Sequence, residues 1–250
     1  MILRKLSEGI RQQDWFTVVV EVLIVVVGIF LGLQVDDWNE ARKDKALEHE
    51  YLGRVAADLR TDLTTLSSIA AYVPKKQNAI ALLARAVDTA KPDLSPEDLF
   101  AAIDASTAYG WQIPWVRLST FEDLLSTGRL ALLREAELRT DLQDYYFSAS
   151  HRLERIMTRT TGYADKIYVL ADADQLSPFL IHSGDLEARR SAARGNVAVS
   201  AARAMEFLEA ARDANLKELI NAELNYATFL SRMVADQIEE TENLLAILSE

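Results

Sequence analysis

The sequence predicts an all-α protein, in which one N-terminal transmembrane helix continues into an antiparallel helical bundle. An apolar run lies near the N-terminus, at residues 16–35. Beyond it, apolar side chains recur at steps of three and four residues, the spacing of a helix with one buried face. No strand-like alternation extends over more than a few residues. Together these features favour a membrane anchor followed by packed helices.

The predicted anchor, residues 16–35, reads FTVVVEVLIVVVGIFLGLQV. At about 1.5 Å per residue it spans about 30 Å, the thickness of the hydrocarbon core of a bilayer. Trp15 and Trp38 flank it where aromatic side chains favour the membrane interface. A cleavable signal peptide is the alternative, but its apolar region is usually about 7–15 residues long and ends at small residues. This run is longer and leads into QVDDW, so we expect an uncleaved anchor.

One face of the anchor contains its least ordinary residues. At about 100° per residue, three of them lie within about 40° of Glu21, namely Thr17, Gly28 and Gly32. Gly28 and Gly32 have the small-xxx-small spacing that lets a second helix approach closely. A carboxylate near the bilayer centre costs about 2.5–3.5 kcal/mol, which a partner on this face would offset. We predict a helix–helix contact here. The alternative is that Glu21 extends to the headgroups and the glycines are incidental.

Flanking charges predict the orientation of the anchor. Arg4, Lys5 and Arg11 precede the span, whereas three basic residues follow it at greater distance: Arg42, Lys43 and Lys45. The positive-inside rule therefore favours a cytoplasmic N-terminal segment at residues 1–15. Residues 36–250, the bundle domain, would then lie in the periplasm beside a bacterial inner membrane. The chain has no cysteine, which fits either side of that membrane.

The domain is expected to begin as a direct continuation of the anchor, because no Gly- or Pro-rich linker separates them. A buried stripe is predicted at Leu47, Tyr51, Leu52, Val55, Leu59, Leu63 and Leu66. Pro74 should bend or end this helix near Val73. Ser95 and Pro96 predict the start of a short helix to about residue 106. Later helices are predicted from a capping box at residues 119–122 through residue 125, at 133–170, and at 197–249, with irregular chain at 171–195.

The last of these helices has an apolar stripe near the seven-residue period of coiled coils. Its members are Leu216, Ile220, Leu224, Ala227, Leu230, Val234, Ile238 and Leu245.

Several motifs resemble one family of bacterial membrane proteins, a domain of unknown function. The anchor motifs are residues 21–28, EVLIVVVG, and residues 33–40, LQVDDWNE; Asp36 and Asp37 stand where the family pattern has Asn-Asn. Further similarity lies at residues 50–52, 58–59, 62–63, 124–130 and 142–146. The resemblance implies a single N-terminal span before a helical region and no assigned activity.

Composition and motifs argue against several classes of function. The net charge of −11 disfavours nucleic acid, which requires clustered Lys and Arg. The common nucleotide-binding and hydrolase signatures are missing. None of the three histidines (His49, His151 and His182) follows a carboxylate by three residues, as a helical di-iron site requires. We therefore predict no catalytic residue, no cofactor and no metal. Two charged stretches, at residues 152–155 and 239–242, are interpreted as solvated faces.

The most unusual soluble stretch is residues 107–118, TAYGWQIPWVRL. Tyr109, Trp111 and Trp115 lie in a predicted loop, and loops that present aromatic side chains often bind partners or ligands. The alternative is a loop that folds back and caps the bundle core. Tyr145, Tyr146 and Phe147 fit either the same pocket or a core stripe.

The sequence favours a membrane-anchored interaction or scaffold protein, not an enzyme, that forms a homo-oligomer or docks on another membrane protein. The alternative is a periplasmic sensory or ligand-binding domain that works through a partner, since only one span is present. An enzyme that acts on lipid or cell wall is a third class. It would require carboxylates or histidines with shifted pKa values in a cleft.

Overall fold

The computed structural model describes residues 15–107, 115–176 and 199–249. In these ranges the chain is helical and contains no strand, which confirms the predicted all-α class. A long N-terminal helix packs against the shorter helices that follow it. Its bundle is formed mainly with the last helix of the chain.

Helix α1 extends from Trp15 to Asp88 without a break, 74 residues in all. The expected direct continuation of the anchor into the domain is therefore confirmed. Pro74 was predicted to bend or end the helix near Val73. An end there is wrong, because the helix continues for fourteen residues beyond the proline, and a bend stays a prediction. Pro74 lacks the N–H that would bond the Ala70 carbonyl. Buried neighbours on both sides, Val73 and Ile80, hold the helix in place by tertiary packing.

The remaining elements are shorter. In chain order they are α2 (Pro96–Thr107), α3 (Ser119–Ser126), a 3₁₀ helix (Arg129–Leu132), α4 (Ala136–Thr158), α5 (Tyr163–Leu170), α6 (Ala173–Leu176), α7 (Ala201–Asp213) and α8 (Leu216–Ile247).

Two helix starts test the capping predictions. The Ser95 side chain accepts a hydrogen bond from the Asp98 amide at 3.1 Å, so α2 begins as predicted. The capping box predicted at residues 119–122 is wrong. Leu118 occupies the cap position of α3 in a helical conformation, and no side chain caps the helix there.

Two predicted long helices are each divided in the structure. The segment 133–170 breaks at Gly162, whose φ of 69° lies in the left-handed region. The segment 197–249 breaks at Asn215, which adopts φ 51° between α7 and α8. Asn tolerates this conformation better than most residues because its side chain is short and polar. The breaks are short, four residues at 159–162 and two at 214–215, so a periodic apolar pattern can continue across each of them.

The core has two main parts, at successive levels of α1. The first joins residues 51–73 of α1 to α3, α4 and the C-terminal half of α8, including Val234 and Leu244. The second joins residues 80–87 of α1 to α2, α5, α7 and the N-terminal half of α8. Helix α8 therefore runs antiparallel to α1, and its C-terminal end lies nearest to the apolar segment.

Candidate functional site

The predicted anchor is an uncovered part of α1. It is the one helix in the described ranges that is long and apolar enough to cross a membrane, with a mean hydropathy of 2.7 over its best window and none of that window buried. Glu21, Gly28 and Gly32 are exposed, and a Cβ atom added at either glycine would meet nothing within 4 Å. The side chain of Thr17 lies outside the described part. The predicted contact through this face remains a prediction.

The glycine face points away from the bundle. Tyr51, Val55 and Leu59 mark the side of α1 that is buried in the core. At about 100° per residue, this side lies on average roughly 150° from Glu21, Gly28 and Gly32. The bundle therefore does not shield the glycine face. A second helix could reach it without displacing any element that the structure describes.

The same face continues along α1 above the apolar segment, and most of its residues are small. Its exposed small members are Ala46, Gly53, Ala57, Thr61, Thr64, Ser68 and Ala71. Their hydroxyl groups donate to carbonyls one turn back, as from Thr61 to Ala57 and from Ser68 to Thr64. We call this surface, together with Glu21, Gly28 and Gly32, the back face of α1. Lys43 and Glu50 are charged members of it.

Of the three aromatic residues predicted to lie in a binding loop, only Trp115 falls within the described ranges. Trp115 is fully buried in the first core and therefore does not present its ring at the surface. This position agrees with the alternative in which the segment folds back onto the core. Tyr109 and Trp111 lie outside the described residues, so their predicted role in binding remains a prediction.

Two carboxylates of α1 hold the end of this loop and the start of α3. Asp62 accepts a hydrogen bond from the Arg117 backbone N–H at 3.1 Å, and its other oxygen lies 3.8 Å from Nε of the same arginine. One turn earlier, Asp58 accepts from the Thr120 hydroxyl at 2.5 Å. Residues 115–118 are thereby attached to α1 on its buried side. We call this attachment the Asp62 latch.

Burial raises the pKa values of several groups in and around the latch. The Asp62 side chain is only 2% exposed, and this desolvation raises its pKa from 3.8 to about 6. The hydrogen bond from Arg117 and the arginine charge oppose the rise in pKa. Burial also raises the pKa of Tyr145 to about 12 and that of Tyr146 still higher. Local sequence does not indicate a buried carboxylate here, because Asp62 lies beside Leu63, the residue that the apolar stripe predicts to be inside.

Three adjacent aromatic residues were predicted to line either a pocket or the core, and two of them lie in the core. Tyr145 and Tyr146 are buried in the first core, and the Tyr145 hydroxyl lies 2.9 Å from that of Thr241. Phe121 stacks on Tyr146 with ring centroids 4.3 Å apart. Phe147 is 77% exposed and contributes nothing to this core.

A second polar cluster lies on the outer side of the same level. The Tyr51 hydroxyl donates to Asp123 at 2.8 Å and accepts from the Arg129 guanidinium at 2.6 Å. The guanidinium groups of Arg54 and Arg129 lie 5.0 and 5.7 Å from the centre of the Tyr51 ring. Tyr51 and Arg129 belong to the motifs at residues 50–52 and 124–130, which are distant in the sequence and adjacent in the fold. The cluster fixes the Gly128 turn against α1.

The interpretation of residues 152–155 as a solvated face is wrong at Arg152, whereas Glu240 in the second stretch keeps a partly exposed side chain. The guanidinium of Arg152 is mostly covered and forms a two-pronged pair with Glu240. It also donates to Gln237 Oε1 at 2.9 Å. This pair joins α4 to α8. His151 and Glu154 are exposed as predicted, with 3.8 Å between His151 Nδ1 and Glu154 Oε2.

A shallow groove of about 320 Å³ lies between α4 and α8. Asp141, Asp144 and Glu240 line it together with Tyr145. Within the described ranges, no group of three or more His, Asp or Glu side chains is placed to hold a metal ion.

The fold and these surfaces define a class: an all-helical protein whose first helix combines a bundle-forming segment with one that could span a membrane. The chain belongs to a family of unknown function (DUF6090), whose model matches residues 21–171. The match covers the apolar segment from Glu21 onward and α2 to α5, and it leaves out α7 and α8. Comparisons with curated proteins and with solved structures found no match.

Proposed function

We propose that this protein is a membrane-anchored interaction protein, without enzymatic activity, that self-associates through the back face of α1. The observation that supports the proposal most strongly is the direction of this face. Glu21, Gly28 and Gly32 are uncovered and lie on the opposite side of α1 from the core. Two chains can therefore meet along α1 while their bundles project outward.

The chemistry of the span also favours a partner. Association of helices in lipid is driven by close packing and by hydrogen bonds between helices, since apolar side chains gain little from leaving lipid. Gly28 and Gly32 permit the close packing. Glu21 contributes a polar group whose exposure to lipid is costly and whose hydrogen bond to a second helix is worth about 0.6–2 kcal/mol. Both requirements, close packing and a hydrogen-bonding group, are met on the same face of the helix.

We further propose that the anchor lies in a bacterial inner membrane with the bundle in the periplasm. The proposal rests on the basic residues that precede the span and on the length of the apolar run. In this arrangement, the 74 residues of α1 extend about 110 Å and carry the bundle directly on the anchor, with no flexible joint. A second copy or another membrane protein is the expected partner.

Particle mass in mild detergent tests the proposal. We expect the wild-type particle to contain more than one copy of the chain. The double variant Gly28→Ile/Gly32→Ile should be a monomer, because branched side chains block the close approach of a second helix. Leu23→Phe/Val27→Phe enlarges the opposite side of the anchor and is the matched control, which should keep the wild-type mass. A wild-type monomer without a companion protein, or a glycine variant with unchanged mass, would refute the proposal.

A further inference from the structure

We propose that the Asp62 latch is a pH-sensitive device that holds residues 115–118 against α1 more firmly at pH 5 than at pH 7.5. The proposal is independent of self-association and concerns a different side of α1. It rests on a buried carboxylate that is the acceptor for a separate, non-helical segment.

The geometry shows why the charged form of Asp62 is poorly supported. Its side chain is 2% exposed, and among the described residues it receives one backbone hydrogen bond, from Arg117. The Arg117 guanidinium is 54% exposed, so solvent screens its charge at 3.8 Å. A buried carboxylate usually needs two or three donors to remain ionised at little cost. Asp62 is therefore better suited to the neutral form than to the ionised form while the latch is closed.

The other titratable groups around Asp62 do not supply the missing positive charge. Asp58 lies one turn away on α1, and its negative charge disfavours ionisation of Asp62. Helix α4 contributes Tyr145 and Tyr146, whose pKa values are raised and which stay neutral. Helix α8 contributes Glu240 beyond Tyr145, and that carboxylate is paired with Arg152.

Linkage gives the sign of the effect. The pKa of Asp62 is about 6 when the latch is closed and is expected to return toward 3.8 when the segment detaches and water reaches the carboxyl group. The closed form therefore binds more protons than the open form between about pH 4 and 6. Its extra stability is fully present below the lower pKa and is lost as pH rises through 6. Acid thus tightens the latch, and the neutral carboxyl group still offers an oxygen to the Arg117 N–H.

Trp115 gives the latch a consequence beyond one hydrogen bond. Its indole is fully buried two residues before Arg117, and its Nε1 has no hydrogen-bond partner among the described residues. Release of residues 115–118 would expose this ring. Acid would therefore favour the conformation in which Trp115 is inside the first core.

Hydrogen exchange of the full chain in detergent tests this device, with rates corrected for the intrinsic effect of pH. We expect the protection of peptides covering residues 115–118 to rise about tenfold between pH 7.5 and pH 5. Each pH unit below the pKa of Asp62 in the closed form raises the closing equilibrium constant about tenfold, and pH 5 lies one unit below that pKa. Peptides from residues 216–230 are the internal reference and should not change. In Asp62→Asn, which cannot ionise, the pH dependence should disappear.

Asp58→Asn is the matched control, because it removes the neighbouring carboxylate of the same attachment and leaves Asp62 in place. It should keep most of the rise in protection. Equal protection of wild-type residues 115–118 at the two pH values would overturn the proposal, even if Asp62→Asn failed to fold. A rise shared equally by residues 216–230 would also overturn it, since the effect would then be global unfolding.

Discussion

At the scale of single residues, Lys76 and Glu223 form the most deeply buried ion pair among the described residues. Their side chains are 1% and 7% exposed, and Lys76 Nζ lies 2.6 Å from Glu223 Oε1. Thr161 donates to the other Glu223 oxygen, so the pair joins α1, α8 and the break between α4 and α5. Burial lowers the pKa of Lys76 to about 8, and the charge of Glu223 opposes that change. Lys76 therefore remains charged at neutral pH, because the nearby Glu223 offsets part of the cost of its burial.

Removal of one partner should be costly. We expect Glu223→Ala to lower the free energy of unfolding by about 3–5 kcal/mol, because it leaves the Lys76 charge buried without its carboxylate. The double variant Lys76→Met/Glu223→Leu should recover most of this loss, since apolar side chains of similar size need no counter-charge. The free energies of unfolding of both variants are measured by urea denaturation of the detergent-solubilised chain, with circular dichroism as the signal.

The chain contains a matched exposed pair. Lys217 Nζ lies 2.8 Å from Asp88, and both side chains are about half exposed. Asp88→Ala should cost less than about 1 kcal/mol, because water screens the pair. If Glu223→Ala were as mild as Asp88→Ala, the ion pair would not be a structural joint of the bundle.

The sequence predicted apolar core residues far better than polar ones. Tyr51, Val55, Leu59 and Leu66 are buried as their spacing indicates. Asp62 and Glu223 are also buried, although a carboxylate in an amphipathic pattern is ordinarily assigned to solvent. Their burial depends on Arg117 and Lys76, which lie 55 and 147 residues away along the chain. Local periodicity contains no information about such distant partners.

At the scale of elements, Pro74 is the residue most at odds with its helix. It removes a hydrogen bond from the interior of α1, and its own side chain is exposed. We expect Pro74→Ala to raise the free energy of unfolding by about 1–3 kcal/mol, because it restores the bond to the Ala70 carbonyl. Thermal unfolding of the full chain measures the change.

Pro96 is the matched control for this substitution. It occupies the first position of α2, where a missing N–H costs nothing and a fixed φ favours the helix. Pro96→Ala should therefore leave stability unchanged or lower it slightly. An unchanged or reduced stability of Pro74→Ala would show that α1 requires the proline, for example for a curvature that fits α8.

Helix boundaries were predictable where a local signal decides them. Ser95 and Pro96 mark the start of α2 correctly because the cap is formed within four residues. The breaks at Gly162 and Asn215 were missed, since the apolar spacing continues across each of them. The predicted cap residue of α3, Ser119, lies inside the helix, whose first turn is attached to α1 by the bond from Thr120 to Asp58. Tertiary contacts therefore override the local capping signal.

At the scale of the whole molecule, α1 has two surfaces of different composition. One side of its upper part forms the bundle with α8, and the back face is exposed as far as Ala71. Farther along α1 the same side is covered by α2, where Ala79 is buried. Between Thr61 and Pro74 none of the exposed residues of this helix is charged, because Asp62 is buried on the other side, and such a composition is unusual for a solvated helix face. This composition extends the small-residue surface of the anchor toward the top of the bundle. A dimer joined along the back face would present two bundles on opposite sides of one paired stalk.

Cysteine scanning of the anchor tests this arrangement most directly, because the natural chain contains no cysteine. Single cysteines would be placed at each position from Val22 to Leu33, and disulfide formation would be measured in membranes after mild oxidation. We predict that cross-linking rises and falls with the helical period and is strongest at Gly28 and Gly32. Absence of cross-linking throughout, or a maximum at Leu23, Val27 and Phe30 on the opposite side, would contradict self-association through the back face.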